Sequence, residues 1–256
     1  MKIACWNVNS IRTRLDHVLR WLEESGTDVL CLQETKVEDD LFPWVELEAR
    51  GYRSLALGER AYNGVAIVSR LPTSEVVSRL PGDPGDEEAR FLSALVGEIR
   101  VVSCYVPNGD TVGTEKWQFK LDWFRRLLAY LGRHRPEEPL LLCGDFNIAP
   151  EDRDCWRPEV WALSVLCHPD GRQAFRELLD WGLVDLFRRH HQEAGRYSWW
   201  DYSPRCFKRN EGLRIDHLLA TRSLAERCRA CDIDTGPRGW TRPSDHTPVW
   251  AEFEPG

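Results

Sequence analysis

No apolar run in this 256-residue chain approaches the roughly 18 residues that a membrane-spanning helix requires, and no charged-then-apolar segment of the secretory type opens it. A membrane partner is excluded from the reading, and a soluble, cytoplasmic protein is expected. Pro-, Gly- or Ser-rich linkers, internal repeats and low-complexity tracts are also absent. A single domain over residues 1–256 is therefore expected, with Leu80 to Glu88 (LPGDPGDEE) as a polar connection inside it. There is no GxSxG and no P-loop, and the cysteines have no recognisable base partner, which argues against covalent catalysis. Cys228-x-x-Cys231 is half of a zinc site, but no second pair completes it. Nine cysteines without regular spacing suit a reducing compartment. Cys5, Cys31, Cys104 and Cys143 lie inside apolar runs, where cysteine acts as a small hydrophobe.

Surplus positive charge is missing too. The net charge is −7, whereas contacts to phosphates need local Lys and Arg. Basic residues do gather at Arg12/Arg14, Lys36, Arg205/Lys208/Arg209 and Arg238/Arg242. Any one of these clusters is also an ordinary solvated surface. An acidic protein that handles polyanions would gain from a divalent cation at the reacting phosphate.

With 42% hydrophobic residues the chain can bury a full core. Strand-like runs fall at Lys2–Asn7, Asp28–Gln33, Tyr52–Leu57, Gly64–Ser69, Phe91–Val96, Ile99–Val106, Leu140–Cys143, Ile215–Ala220 and Val249–Phe253. Helical spacing predicts Leu15 to Ser25, stopping at Gly26. A second helix follows the cap Thr114, with Trp117, Leu121, Phe124, Leu128 and Leu131 as its apolar stripe. A third runs over Arg172 to Trp181. Many strands with helices between some of them indicate a mixed-sheet α/β protein with layers on both sides.

Five of the strands end in polar groups able to do chemistry. Gly144-Asp145-Phe146-Asn147 follows the run Leu140–Cys143, so that one carboxylate and one amide leave the sheet edge on the same side. Glu34 follows the second run, Asn7 and Asn9 the first, Tyr105 and Asn108 the middle one. Asp216, Asp245 and His246 stand beside the last two. A lone Asp after a strand is commonly a turn or cap residue; the set taken together points to one site. Carboxylates and amides without paired His or Cys suit Mg²⁺ or Mn²⁺. His246, aligned by a carboxylate such as Asp216, is placed to touch a phosphoryl oxygen or shuttle a proton. The tryptophans Trp21, Trp117, Trp123 and Trp181 read as core. Trp199 and Trp240 sit in turn-rich segments where an aromatic ring can stack on a base or sugar. His168, in the loop CHPDG, is left undecided.

The segments WNVNSIR, LQETK, YVPNG, GDFNIAP, WGLVDLFR, YSWWDY, NEGLRIDHLL and SDHTPV, in this order, resemble the exonuclease III family of abasic-site endonucleases, within the DNase I-like phosphoesterase superfamily. The resemblance runs from Lys2 to about Phe253. It implies a four-layer α/β sandwich of two mixed β-sheets flanked by helices. It also implies double-stranded DNA with abasic sites or 3′ ends as partner, and a monomer associated with the bacterial nucleoid. Glu34 would bind the metal with Asn7 and Asp245 in its shell. Asp145 would activate water beside Asn147, and His246 would be a phosphate ligand paired with Asp216. Tyr105 and Asn108 would contact the phosphate or the leaving oxygen. Trp199, Leu213 and Ile215 would take the baseless sugar, and Arg12 and Lys36 would lie near the DNA. Leu213 stands where some relatives carry a larger aromatic, and the loop Arg153–Arg172 is unfamiliar. Two rivals are another phosphoesterase of the superfamily and a binding protein that has lost the chemistry. The latter would be expected to lack Glu34, Asp145 or His246.

Overall fold

In the longest apolar runs every residue is buried, because each such strand is covered on both faces. In Lys2–Asn7, Ile3 and Cys5 point into one core while Ala4 and Trp6 point into another. Leu140 and Leu142 alternate in the same way with Leu141 and Cys143. This period of two on doubly buried strands builds the architecture of the computed structural model, which describes residues 1–83 and 85–255; Pro84, in the polar connection, and Gly256 lie outside the described residues.

The strands are β1 (Lys2–Asn7), β2 (Val29–Gln33), β3 (Arg53–Leu57), β4 (Val65–Ser69), β5 (Thr73–Ser78), β6 (Phe91–Val96), β7 (Ile99–Tyr105), β8 (Leu140–Asp145), β9 (Leu183–Asp185), β10 (Asp216–Thr221), β11 (Cys228–Ile233) and β12 (Val249–Phe253). The helices are α1 (Ile11–Ser25), α2 (Trp44–Glu48), α3 (Glu115–Leu131), α4 (Pro158–Trp161), α5 (Pro169–Asp180), α6 (Leu186–His190), α7 (Pro204–Lys208) and α8 (Arg222–Glu226). One sheet has the order β11-β12-β1-β2-β4-β3 and the other β5-β6-β7-β8-β10-β9. Their facing surfaces share a core that includes Ile3, Cys31, Val101, Cys143 and Leu218. Helix α1 covers the outer face of the first sheet with Val18, Trp21 and Leu22. Helices α3 and α5 cover the second with Trp123, Phe124, Leu127, Phe175 and Leu178. The expected four-layer sandwich is the observed one.

Strand direction creates the site. β1 and β2 are parallel, with β12 antiparallel to β1. β7 and β8 are parallel, with β10 antiparallel to β8. The C-terminal ends of β1, β2, β7 and β8 and the N-terminal ends of β10 and β12 therefore share one edge of the sandwich. Asn7 crosses between the sheets there, its Nδ2 donating to Asp145 Oδ2 at 2.9 Å.

Several boundaries differ from the expected ones. β8 continues to Asp145, because it pairs with β7 and β10 beyond the apolar run. α1 begins at Ile11, where Ser10 caps it by accepting from Thr13 N, and Gly26 ends it in the left-handed conformation. α5 begins at Pro169, because His168 Nδ1 accepts from Asp170 N as its cap; His168 is thus a helix cap. The buried stripe of α3 is Trp117, Lys120, Trp123, Phe124, Leu127, Tyr130 and Leu131; Leu121 and Leu128 are only partly buried. Strands β5, β9 and β11 lack a run long or regular enough to announce them. The CxxC lies in β11, where Cys228 and Cys231 are buried and free.

A buried ionic network secures the segment that leads into β10. Asp154 accepts from Arg188, and from Arg214 Nε at 2.6 Å; Arg214 Nη2 reaches Asp185 Oδ2 at 2.8 Å. His217 Nδ1 accepts from Arg214 Nη1 at 2.9 Å, and its Nε2 donates to Ile148 O at 2.9 Å. Burial and the Arg214 charge together push His217 down to about 4, so it stays neutral in this role. Burial alone would raise Asp154, but Arg214 and then Arg188 outweigh it and hold the carboxyl at about 2. Asp154→Ala leaves Arg188 without its carboxylate and Arg214 with Asp185 alone, and is expected to cost about 3–5 kcal/mol in urea denaturation at neutral pH. A depressed carboxylate stabilises fully above its ordinary value of about 3.9. The gap between wild type and variant should therefore narrow as the pH falls towards 2. A gap below about 1 kcal/mol would show that the network contributes little.

Candidate active site

Each polar group at the shared edge is held by a specific backbone device. Gly144 has φ +138°, and a Cβ there would lie 2.0 Å from Cys104 O, so only glycine lets β8 deliver Asp145 beside β7. Asn9, Ser10, Glu34, Lys36 and Asn147 all have positive φ. Such residues cost of order 1–3 kcal/mol each and gather at functional sites.

Glu34, Asp145 and His246 bring ligand-type atoms within 4.8 Å of one another. Asn7 Nδ2 donates to Glu34 Oε1 at 2.7 Å as well as to Asp145. Asn7 Oδ1 accepts from Asn9 N at 3.0 Å, which fixes the orientation of its amide. Asn7, expected in the metal shell, thus turns its nitrogen towards the acidic cluster and orients the Glu34 and Asp145 carboxylates. Asp245, also expected in the metal shell, lies outside the cluster of three. It accepts from Asn9 Nδ2 at 3.0 Å and from Trp199 Nε1 at 3.0 Å. Lys36, expected near DNA, lies in the site, with Nζ 2.6 Å from Glu34 Oε2 and 2.7 Å from Asn9 Oδ1. Arg12 is exposed on the first turn of α1.

His246 Nδ1 lies 2.8 Å from Asp216 Oδ2, and its Nε2 lies 3.6 Å from Asp145 Oδ2. Burial opposes the imidazolium, but Asp216 and then Asp145 outweigh it and push His246 up to about 10. A protonated imidazole has no lone pair for a metal, so the carboxylates are the ligand candidates. Burial raises Asp145 to about 7; His246 opposes this, while Asp216 and Glu34 add to it. Crowded carboxylates that repel one another in this way are a donor set suited to a hard divalent cation. Tyr105 is pushed well above the ordinary phenol range by burial, then by Glu34 and Asp145, so it remains a donor. Asn147 N donates to Asp145 Oδ1 at 2.8 Å, and Asn147 Oδ1 accepts from the exposed Asn108 at 3.0 Å.

Trp199 is clamped by reciprocal 2.9 Å backbone bonds to Leu213 and by a bridge to His246. Its ring packs edge-on against Trp161, 6.2 Å away. Leu213 and Ile215 are fully buried in a cluster with Cys155, Val165, Leu166 and Cys167. They pack beneath Trp199, which is itself partly exposed. The loop Arg153–Arg172 supplies Cys155, Val165, Leu166 and Cys167 to this cluster. Trp240 packs on His17 and carries Arg20 over its ring.

Ser198 and Ser244 escaped the sequence reading. Ser198 Oγ donates to Asp216 Oδ2 at 2.6 Å, and Ser244 Oγ donates to Asn7 O at 2.8 Å. Each lies inside a motif that was noted for its neighbours. Lys120 was also missed; its signal was a lysine in the middle of an apolar stripe.

Comparison with known proteins agrees with this geometry. The profile of the Endonuclease/Exonuclease/phosphatase family matches residues 4–246. The chain belongs to that family. Exodeoxyribonuclease III of Haemophilus influenzae is 34% identical to this family member, covering 99% of this chain and 100% of the relative. The structure of an AP endonuclease from Archaeoglobus fulgidus superposes with TM-score 0.97 at 40% identity, covering 100% of both chains. A 3′ phosphatase from Neisseria, solved bound to a product DNA hairpin, gives TM-score 0.97 at 41% identity over 99% of each chain.

The Asp216–His246 pair of this family member can be tested without substrate. In metal-free protein the imidazole NMR signals of His246 should not titrate between about pH 5 and 8. Asp216→Asn should bring the titration down towards or below the ordinary value of about 6.5. The folded value is raised, so the associated stability is complete below the ordinary value and disappears as the pH climbs through about 10. A wild-type His246 that titrates near 6.5 would refute the ion pair.

Proposed function

We infer that the chain is a metal-dependent DNA-repair nuclease that hydrolyses the phosphodiester 5′ to abasic sites in double-stranded DNA. On this reading the same site also removes nucleotides and blocking groups from 3′ ends, and the protein works as a monomeric single domain in the cytoplasm. One observation carries the reading: Glu34, Asp145 and the Asp216–His246 pair meet at one sheet edge, next to Tyr105, the Asn108–Asn147 amides and the Trp199 pocket. The names of the relatives support the substrate. Retention of every acidic and imidazole group disfavours a binding-only protein.

Glu34 would hold Mg²⁺ or Mn²⁺, with Asn7 orienting its carboxylate. When bound, the cation supplies positive charge against the negative charge that builds on phosphorus and on the departing oxygen. His246, kept protonated by Asp216, donates from Nε2 to a non-bridging phosphoryl oxygen. Asp145 accepts the proton of a water attacking phosphorus in line, and is favoured as base because His246 is already protonated. The bond from phosphorus to O3′ breaks, and Tyr105 donates towards the departing oxygen. Asn108 and Asn147 hold the phosphate in line. Selectivity needs no base reading: a baseless sugar is cheap to extrude, and the pocket beside Trp199 excludes an intact nucleotide. The balance between internal incision and 3′-end removal depends on how closely the loop Arg153–Arg172 wraps this pocket.

The purified chain should incise a labelled abasic duplex in Mg²⁺ and stop when EDTA is added. Glu34→Ala and Asp145→Asn should each lower kcat by roughly 10²–10⁴-fold with unchanged circular dichroism. Wild-type rates in both variants would mean that the site is misassigned. Trp199→Ala should weaken abasic incision more than 3′-end digestion; equal losses would refute the pocket assignment.

A further inference from the structure

Lys120 has no place in the chemistry above, yet it is completely buried and stands in the middle of the apolar stripe of α3. Its Nζ donates to three carbonyl oxygens: Asn108 at 3.1 Å, Asn147 at 2.7 Å and Val165 at 2.7 Å. These carbonyls come from three separate segments. Asn108 follows β7, Asn147 follows β8, and Val165 belongs to the loop that backs the Trp199 pocket. Three carbonyls match the three donors of one ammonium group. Burial pushes Lys120 down to about 7, opposed by Asp145 and then Cys167.

The neighbouring glycine is shaped to this lysine. Gly109 has φ +94°, and a Cβ there would lie 3.0 Å from Lys120 Cδ and 3.1 Å from Trp117. The Asn108 loop therefore lies directly on the stem of the lysine. Above it, Asn108 Nδ2 donates to Asn147 Oδ1, and Asn147 Nδ2 donates to Val106 O. The two asparagines are thus joined twice, through their side chains on the substrate side and through one ammonium beneath.

We propose that Lys120 is a positioning residue: its ammonium pins the backbones of Asn108 and Asn147 to each other and to the pocket loop, setting the spacing at which both amides meet the phosphodiester. The proposal rests on the nuclease reading of the site. It concerns kcat, because misplaced amides fail the transition state while most DNA contacts survive. A lysine kept only for packing would act on stability alone.

The test is a double-mutant cycle under single-turnover conditions with a labelled abasic duplex and Mg²⁺. Lys120→Met should lower the cleavage rate roughly 10- to 100-fold, with DNA affinity changed less than about threefold. Where Lys120→Met does not stay folded, Lys120→Gln, which keeps two N–H donors, takes its place. Asn147→Ala is the reference variant. In that background the effect of Lys120→Met should shrink to about threefold or less, because the Asn108–Asn147 spacing it sets is already lost. The same fold loss in both backgrounds, or a wild-type rate in Lys120→Met, overturns the proposal. A wild-type rate in Asn147→Ala also overturns it, because the amide that Lys120 positions would then not act; absence of Mg²⁺-dependent cleavage by the wild-type protein overturns the underlying nuclease reading instead, so the two failures are told apart.

Discussion

The site depends on confining negative charge. Glu34, Asp145 and Asp216 crowd one sheet edge, where the imidazolium of His246 is buried between Asp216 and Asp145 and Lys36 lies against Glu34. Burial makes each uncompensated charge expensive, so the pair is oriented as well as charged. Burial raises Asp145 to about 7 against the pull of His246, and Asp216 and Glu34 add to the rise. On the proposed reading, a divalent cation at these carboxylates would offset their charge and that of a phosphodiester. A net charge of −7 is therefore compatible with a polyanionic partner.

Such crowding needs a frame that does not yield. The two sheets share a core, and their contact at the site edge is tied by Asn7 to Asp145 and by Asp216 to His246. Positive φ at Asn9, Glu34, Lys36 and Asn147 shows the backbone held in conformations that these residues disfavour. Behind the site, Arg214 lies between the pocket residues Leu213 and Ile215 and is anchored to Asp154 and Asp185. The unfamiliar loop belongs to this frame: Asp154 is part of it, and Val165 touches both Lys120 and the pocket cluster.

Much of this was legible in the chain. Glu34, Asp145, Asp216 and His246 each stand beside a run whose burial is obvious, so strand ends and site could be found together. Roles that depend on orientation could not be read. Asn7 was expected to offer oxygen, but its amide is fixed the other way by Asn9 N, a contact between neighbours that no spacing reveals. Leu213 and Ile215, expected to line a sugar pocket, lie buried beneath Trp199, because Trp199 pairs with Leu213 along the backbone. The contact of Lys36 with Glu34 two residues away likewise depends on the positive φ of both, which no motif shows. Edge strands such as β5 and β9 carry no burial pattern. Lys120 and Ser198 act through partners far away in sequence, and Arg214 pairs with the distant Asp154 and Asp185.

The central claim is that Glu34 and its neighbours form one cation site at the sheet edge. The most direct test is Mn²⁺ binding to the substrate-free protein, followed by electron paramagnetic resonance. The account predicts a site whose affinity falls at least about tenfold, roughly 1.4 kcal/mol, in Glu34→Gln. Unchanged Mn²⁺ affinity in that variant would contradict it.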